Sequence, residues 1–425
     1  MKEKVGKYIQ AHRIFSENRQ VLVALSGGAD SVALLLLLQE LGYDIQALHC
    51  NFHLRAEESD RDERFVSQLC LQHNIPLLVR HFDTTGYAGQ KGISIEMAAR
   101  DLRYEWFYEV MAASQAQCIG VAHQMDDQAE TLLLNLIRGT GIRGLAGMYP
   151  LRNGIARPLL CVTRKEILAY LNRKNQTYVT DSTILQRDAV RNKVRLDIMP
   201  LLADINPSIV NTLAETCSVM RSSIPFYEQG VQHAVEQAMN GDDRLNLRHI
   251  EDGQQAAVLI HEWLKNKGFS GTQTKEIVAS LPGTSGKIWE SKTFRLLKDR
   301  TWLILQEKGT KPAGVHIIQE QVESISETGP GIAYFDADKL RAPVTYRNTK
   351  EGDWFVPYGM RGRKLVSDYL TDIKASRFEK ENQQVALCGD DIIWVVGHRS
   401  DNRYKVDKNT KHIIRLRTEK QEYTL

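Results

Sequence analysis

The stretch "VLVALSGGADS", Val21 to Ser31, sets two glycines and a carboxylate between an apolar run and an apolar helix. Lacking Cβ atoms, Gly27 and Gly28 let backbone N–H groups turn inward and approach an anion closely. The helix that begins near Ser31 adds the positive end of its dipole, so the turn favours phosphate oxygens. Ser26 and Ser31 contribute hydroxyl donors on either side of Ala29. Asp30 is the unexpected member, because a carboxylate beside a phosphate repels it unless a cation bridges the two. Its presence points to Mg²⁺ shared between Asp30 and a nucleotide. The lysine of the G-x-x-x-x-G-K-[ST] phosphate loop is absent, and so is the G-x-G-x-x-G dinucleotide pattern.

Other side chains with chemical potential recur at helical spacing. In "MDDQAETLLLNLIRG" a helix starts with Asp126 and Asp127 in its first turn and ends at Gly139. Asp127 and Glu130 are i, i+3 and share a face, where they could converge on a cation or simply face solvent. Arg100 and Arg103 have the same spacing. They could bind a carboxylate or a transition-state phosphate, or be ordinary surface arginines. His53 and His123 fall at strand ends, where proton transfer and plain hydrogen bonding are both open to them.

These residues need a scaffold, and the first half of the chain supplies the pattern for one. "VLVAL", "IQALHCNF", "IPLLVRHF" and "CIGVAH" are short apolar runs of the kind that form buried parallel strands. Amphipathic segments alternate with them: "DRDERFVSQLCLQHN", "SIEMAARDLRYEWFYEVMAAS" and the helix after the glycine turn. The expected fold class is α/β, an open parallel sheet with helices on both faces. Ligands of such sheets sit beyond the carboxyl ends of the strands, where Ser26, Asn51 and His123 fall. "VTRKEILAYLNRKN" reads as a further helix capped by Thr163, with Glu166 three residues on. The glycine-rich "GTGIRGLAGMYP" reads as a mobile basic arm. We expect domain 1–210 to hold the ligand, a mainly helical domain at 211–310, a linker at 311–342 and a small α/β domain at 343–425.

Composition narrows the class of partner. The 425 residues carry a net charge of +3, but the charge is unevenly spread. Thr131 to Lys165 contains no acid and six bases: Arg138, Arg143, Arg152, Arg157, Arg164 and Lys165. "RDAVRNKVR" adds Arg187, Arg191, Lys193 and Arg195, and from Arg341 onward 17 Lys/Arg face 12 Asp/Glu. Basic patches on a near-neutral protein fit a docked polyanion or solvated faces. The six cysteines never form a C-x-x-C pair, which suits reduced thiols in a cytoplasmic protein and offers no zinc or cluster site. No apolar run approaches the roughly 20 residues of a membrane span, and "MKEKVGKYIQ" is no signal peptide.

The strand, glycine turn, Asp-Ser and helix together resemble the PP-loop of the ATP pyrophosphatases. Further blocks narrow the likeness to the tRNA(Ile)-lysidine synthetases. "HCNFHLRAEESDRDE" resembles their H-x-N-H-x-L-R-x-x-E-S-D block, and "EMAARDLRYEWF" their E-x-x-A-R-x-x-R-Y helix. "AHQMDDQAETLLLNLIRGTGIRGLAGM" follows their pattern almost throughout, with "RPLL" after it. "GDWFVPYGMRGRKLVSDYL" and "IIWVVGHRSDNRYKV" look like the family's last domain. The resemblance implies ATP and Mg²⁺ as cofactors, with free L-lysine and an isoleucine tRNA bearing a CAU anticodon as partners. It implies that ATP adenylates the C2 oxygen of the wobble cytidine and that the lysine ε-amine then displaces AMP. By motif position, Ser26, Gly27, Gly28, Ala29, Asp30 and Ser31 would hold the nucleotide, with Asp30 also the metal ligand. Asp127 and Glu130 would recognise lysine, and Arg103 would assist the chemistry. Arg100, Arg138, Arg143, Arg191 and Arg195 would meet lysine or tRNA, in a monomer or a homodimer. One block departs from the family: "DSTILQRDAVRN" has Ile184 for asparagine and Ala189 for an aromatic residue. Rival expectations are a tRNA thiolase, which would want paired cysteines, an amide-forming ligase, and a non-catalytic tRNA-binding protein.

Overall fold

The computed structural model describes residues 1–16, 20–54, 57–114, 116–180, 190–241, 243–250, 253–309 and 316–419. The chain divides into two compact units, Met1–Tyr227 and Glu228–Leu425. The division lies later than the expected break at 210, because the helix Ile209–Ala238 continues through it.

The first unit is built on a six-stranded sheet. In chain order its elements are α1 (Lys2–Ala11), β1 (Val21–Ala24), α2 (Ala29–Glu40), β2 (Ile45–Asn51), α3 (Glu57–Gln72) and β3 (Leu77–His81). There follow α4 (Thr84–Lys91), α5 (Ile95–Ser114), β4 (Cys118–Gly120), α6 (Met125–Ile137) and α7 (Ile142–Leu145). Two short strands, β5 (Leu151–Arg152) and β6 (Ile155–Ala156), precede α8 (Arg164–Arg173). The strand order is β3-β2-β1-β4-β6-β5. All neighbours are parallel except β5, which returns antiparallel on β6 and ends the sheet.

Alternation along β1 explains why both faces of the sheet are covered. Val21 and Val23 join a core with α2, α3 and α8 that includes Leu34, Leu35, Val66, Leu69, Ile167 and Leu171. Leu22 points the other way, onto Leu48, Phe82, Trp106, Phe107 and Ile119. The middle of α2, Val32 to Leu38, is buried on every side, so its leucine run is the signature of a core helix. Because β1 has β2 on one side and β4 on the other, the connections diverge at its carboxyl end. That is the crevice where open α/β sheets take their ligands.

Two sequence expectations need correction here. The glycine-rich segment after α6 is strapped down. Gln128 Oε1 accepts the Met148 N–H at 2.8 Å, Asn135 Nδ2 donates to the Gly144 carbonyl at 2.8 Å, and Arg221 Nη2 donates to the Met148 carbonyl at 2.8 Å. Gly147 has φ +60, and a Cβ there would lie 2.7 Å from Gln128, so the strap demands glycine. The stretch expected to be a linker, 311–342, contains the strands His316–Val322 and Ile332–Asp336. Both pair with Ile413–Glu419 in one antiparallel sheet. The region expected to be mainly helical does hold helices, among them Gly253–Leu264 and Gly271–Ala279, and these pack through Ile260, Trp263 and Ile277 on an antiparallel sheet of Arg244–Asn246, Trp302–Glu307, Phe294–Asp299 and Ile288–Glu290. Two further strands of the second unit, Gln384–Cys388 and Asp391–Val395, form another hairpin.

Leu34 is wholly buried. Leu34→Ala should lower unfolding free energy by about 2–5 kcal/mol, read as a shift in the urea midpoint of the first unit's transition.

Candidate active site

The glycine turn lies between the end of β1 and the first turn of α2. Gly27 has φ +87, the left-handed region that glycine enters freely. The turn is held from within by its two serines. Ser31 Oγ donates to the Gly28 carbonyl at 2.9 Å and accepts the Ser26 N–H at 3.2 Å, and the two hydroxyls lie 3.1 Å apart. It is held from outside by a segment that sequence reasoning missed. The Val179 N–H donates to the Gly27 carbonyl at 2.9 Å, and Gly28 and Val179 form a parallel bridge. A single bridge from a distant residue leaves no local signal.

A cleft of about 390 Å³ opens over this turn. Ser26, Gly28, Ala29, Asp30 and Ser31 form its floor, and Arg100, Arg103, Tyr104 and His123 are on its walls. Arg103 lies over the Phe52 ring at 5.2 Å and Arg100 over the Tyr104 ring at 4.9 Å, so aromatic faces steer both guanidiniums. His123 stands among Arg157, Arg191, Arg100 and Arg103. Burial first, and those charges second, push its pKa down to about 3. The imidazole is therefore neutral throughout the physiological range, and its Nδ1 is sealed from solvent without a hydrogen-bond partner among the described residues.

Beside the cleft is a second cavity of about 280 Å³, lined by Asp30, Gln124, Asp126, Glu130, Arg164, Arg195 and Met199. Helix α6 supplies Asp126 and Glu130, and its start is fixed by Gln124. The Gln124 side chain accepts the Asp126 N–H at 2.6 Å, and the Gln124 N–H donates to Asp127 Oδ2 at 3.1 Å. The arginines come from a helix that starts at Val190–Lys193, passes through a widened π turn at Val194–Ile198 and continues as Met199–Ile205. Such turns gather at functional sites. Arg191 Nε donates to Glu130 Oε2 at 2.8 Å and Arg191 Nη2 to Asp127 Oδ1 at 3.0 Å. Arg195 Nε donates to Glu130 Oε1 at 2.6 Å, with Nη2 reaching Glu130 Oε2 at 3.0 Å and Asp127 Oδ1 at 3.3 Å. Burial works against the Arg195 charge, but hydrogen bonding to Glu130 and attraction from Asp127 and Asp30 hold it above its ordinary value.

Asp127 and Glu130 thus share a face, as their spacing implies, and that face carries two guanidiniums. Arg191 and Arg195 were expected to meet lysine or tRNA, and their charged ends are engaged by these acids. Arg138 and Arg143 line neither cavity. Arg138 caps the carboxyl end of α6 and is exposed, and Arg143 lies over Tyr227 at 5.9 Å. Ile184 and Ala189, the departures from the family pattern, are outside the described residues.

Asp30 is half-buried. Burial raises its pKa, and its ion-pair partner Arg164 works in the opposite direction. Arg164 drew attention in the sequence only as part of a basic tract, since an arginine after a helix cap reads as surface. Asp30 projects from the glycine turn towards the acids of α6 and feels the Asp127 charge. Mg²⁺ commonly takes one or two carboxylates and completes its shell with phosphate and water. Asp30 at this turn fits that mode, and no cluster of three or more candidate metal ligands exists among the described residues.

The chain is similar to known proteins along most of its length. A family model for the PP-loop domain matches residues 1–202, and a model described as the TilS substrate binding domain matches residues 239–308. The tRNA(Ile)-lysidine synthase of Parabacteroides distasonis is 45% identical over 96% of this chain and 97% of its own. That of Porphyromonas gingivalis strain W83 is 38% identical over 95% of each. Among solved structures, the U34-tRNA thiolase NcsA from Methanococcus maripaludis aligns with 52% of this chain and 79% of its own, at 18% identity and a TM-score of 0.43.

Two outcomes follow from the site itself. Among the described residues, removing Arg195 leaves Glu130, 2% exposed, with Arg191 as its ion-pair partner. Arg195→Ala should therefore destabilise the first unit by about 1–3 kcal/mol in urea titration, less than the loss of a sole partner would. His123 has a folded pKa far below its unfolded value of about 6.5, so its neutral form contributes stability above that pH. That contribution is lost as pH falls from about 6.5 towards about 3. The acid limb of a Tm–pH profile should be shallower for His123→Gln across this window.

Proposed function

The chain belongs to the tRNA(Ile)-lysidine synthase family, and from that premise we propose that it ligates free L-lysine to C2 of the wobble cytidine in an isoleucine tRNA with a CAU anticodon. The family is built on a PP-loop domain that uses ATP, and the reaction divides ATP into AMP and pyrophosphate. In the first step the cytidine C2 oxygen attacks the α-phosphorus. The bond from that phosphorus to the bridging oxygen breaks, and pyrophosphate leaves. In the second step the lysine ε-amine attacks C2, the C2–O bond breaks with AMP as the leaving group, and the nitrogen loses a proton. Adenylation thereby converts an oxygen that would not leave into one that does.

The residues divide the work as follows. The backbone of Gly27 and Gly28, the hydroxyls of Ser26 and Ser31 and the amino end of α2 hold the pyrophosphate portion. Asp30 would hold Mg²⁺, which when bound neutralises phosphate charge. Arg103 and Arg100 stand across the cleft, where charge develops on the transferring phosphate. Neutral His123 can hydrogen-bond a base or a ribose without adding charge. Asp127 and Glu130 recognise the lysine ammonium, sharing their oxygens with Arg191 and Arg195. Because paired carboxylates favour the ammonium form, we assign them binding and not deprotonation. The basic residues near Arg138 and Arg143 suit the tRNA backbone.

The observation that carries this reading is the convergence of the Ser26–Ser31 turn, Asp30, Arg100 and Arg103 on one cleft at the carboxyl end of β1. Incubation of isoleucine tRNA with the protein, ATP and isotopically labelled lysine should yield a nucleoside carrying the label on its cytosine, with AMP and pyrophosphate released in equal amounts. Asp30→Asn should abolish ATP–pyrophosphate exchange while tRNA binding persists. Release of ADP and orthophosphate would refute the reading.

A further inference from the structure

The two cavities meet at one ion pair. Asp30 and Arg164 line both, and no other described residue does. Arg164 Nη1 is paired with Asp30 Oδ1. Its backbone N–H donates to Asp126 Oδ2 at 2.9 Å. Arg164 is also the first residue of α8, whose start is fixed by Thr163 Oγ1 accepting the Glu166 N–H at 3.2 Å and by Glu166 Oε2 accepting the Thr163 N–H at 2.8 Å. The backbone of Arg164 is thus tied to α6 and to its own helix cap. Its long side chain, 36% exposed, is the part that can turn.

A carboxylate in a turn shaped for anions needs a positive partner at every stage. In the structure that partner is Arg164. A divalent cation arriving with nucleotide needs an Asp30 oxygen as well, so the cation and the guanidinium compete for the same group. We propose that Arg164 is the counter-ion that Asp30 exchanges for the divalent cation, and that the displaced guanidinium then binds phosphate oxygens of the nucleotide. The anchored backbone keeps the displaced charge inside the cleft, and a guanidinium matches phosphate geometry with two parallel N–H donors. The inference rests on the reading that this turn holds ATP with its metal, and it gives Arg164 a positioning role on both sides of the exchange.

The exchange predicts changes of opposite sign. Without nucleotide, Arg164→Gln removes the competitor, so Mn²⁺ followed by electron paramagnetic resonance should bind several-fold more tightly than to the unaltered protein. With Mg²⁺ present, the same variant loses a charged phosphate donor. It should bind α,β-methylene ATP about tenfold or more weakly in titration calorimetry. Arg164→Lys keeps a charge without the two-pronged geometry and should fall between on both measures. A residue that merely starts α8 would weaken both ligands together along with Tm, and that result overturns the proposal, as does an Arg164→Gln protein that binds both normally. An unaltered protein that ignores the analogue overturns the reading of the turn and this inference with it. A normal unaltered protein with an indifferent Arg164→Gln overturns this inference alone.

Discussion

Like charges gathered in a small space govern this active site. Asp30, Asp126, Asp127 and Glu130 crowd the carboxyl ends of β1 and β4, and Arg164, Arg191 and Arg195 are threaded among them. A few ångströms between carboxylates is tolerable only when each is neutralised, hydrogen-bonded or protonated. The fold supplies the first two remedies. Asp126 accepts a backbone N–H, Asp127 closes the cap of α6, and Glu130 receives two guanidiniums. The contacts that satisfy these acids also hold the surrounding helices in place, so electrostatics and architecture cannot be separated here.

The sheet makes this concentration affordable. Both faces of β1 are sealed by apolar side chains, from α2, α3 and α8 on one side and from α5 on the other. Hydrophobic burial provides the bulk of the stabilisation and leaves the strand ends free for polar groups that add little to it. The aromatic walls extend the same logic. Phe52 and Tyr104 orient Arg103 and Arg100, and no carboxylate among the described residues forms an ion pair with either. A pair of ordinary salt bridges would have fixed the arginines equally well and disarmed them.

Much of this was legible before any coordinates. The apolar run, glycine pair and leucine run announce a strand, a tight turn and a buried helix, because backbone geometry and burial demand each residue type. The i, i+3 spacing of Asp127 and Glu130 does put them on one face. What could not be read was pairing across long sequence distance. Nothing near Val179 marks it as the partner of Gly28, and nothing in "RNKVR" says that its arginines reach back to α6. The strands His316–Val322 and Ile332–Asp336 escaped notice for a related reason. Polar residues and Gly/Pro punctuation mark them as a linker locally, and only the distant strand Ile413–Glu419 supplies their hydrogen bonds. Family likeness identified the chemistry more readily than the network that restrains it.

The bridge between Gly28 and Val179 bears on the order in which the protein can be completed during synthesis. The strand, turn and helix around the glycines are contiguous and can form soon after they leave the ribosome. Their outer wall arrives only after the sheet has acquired β4 and β6 and α8 has docked on α2, because Val179 follows all of them. Loop-closure entropy is paid before that contact returns anything. A nascent chain therefore carries the glycine turn without its outer wall for most of the domain's translation.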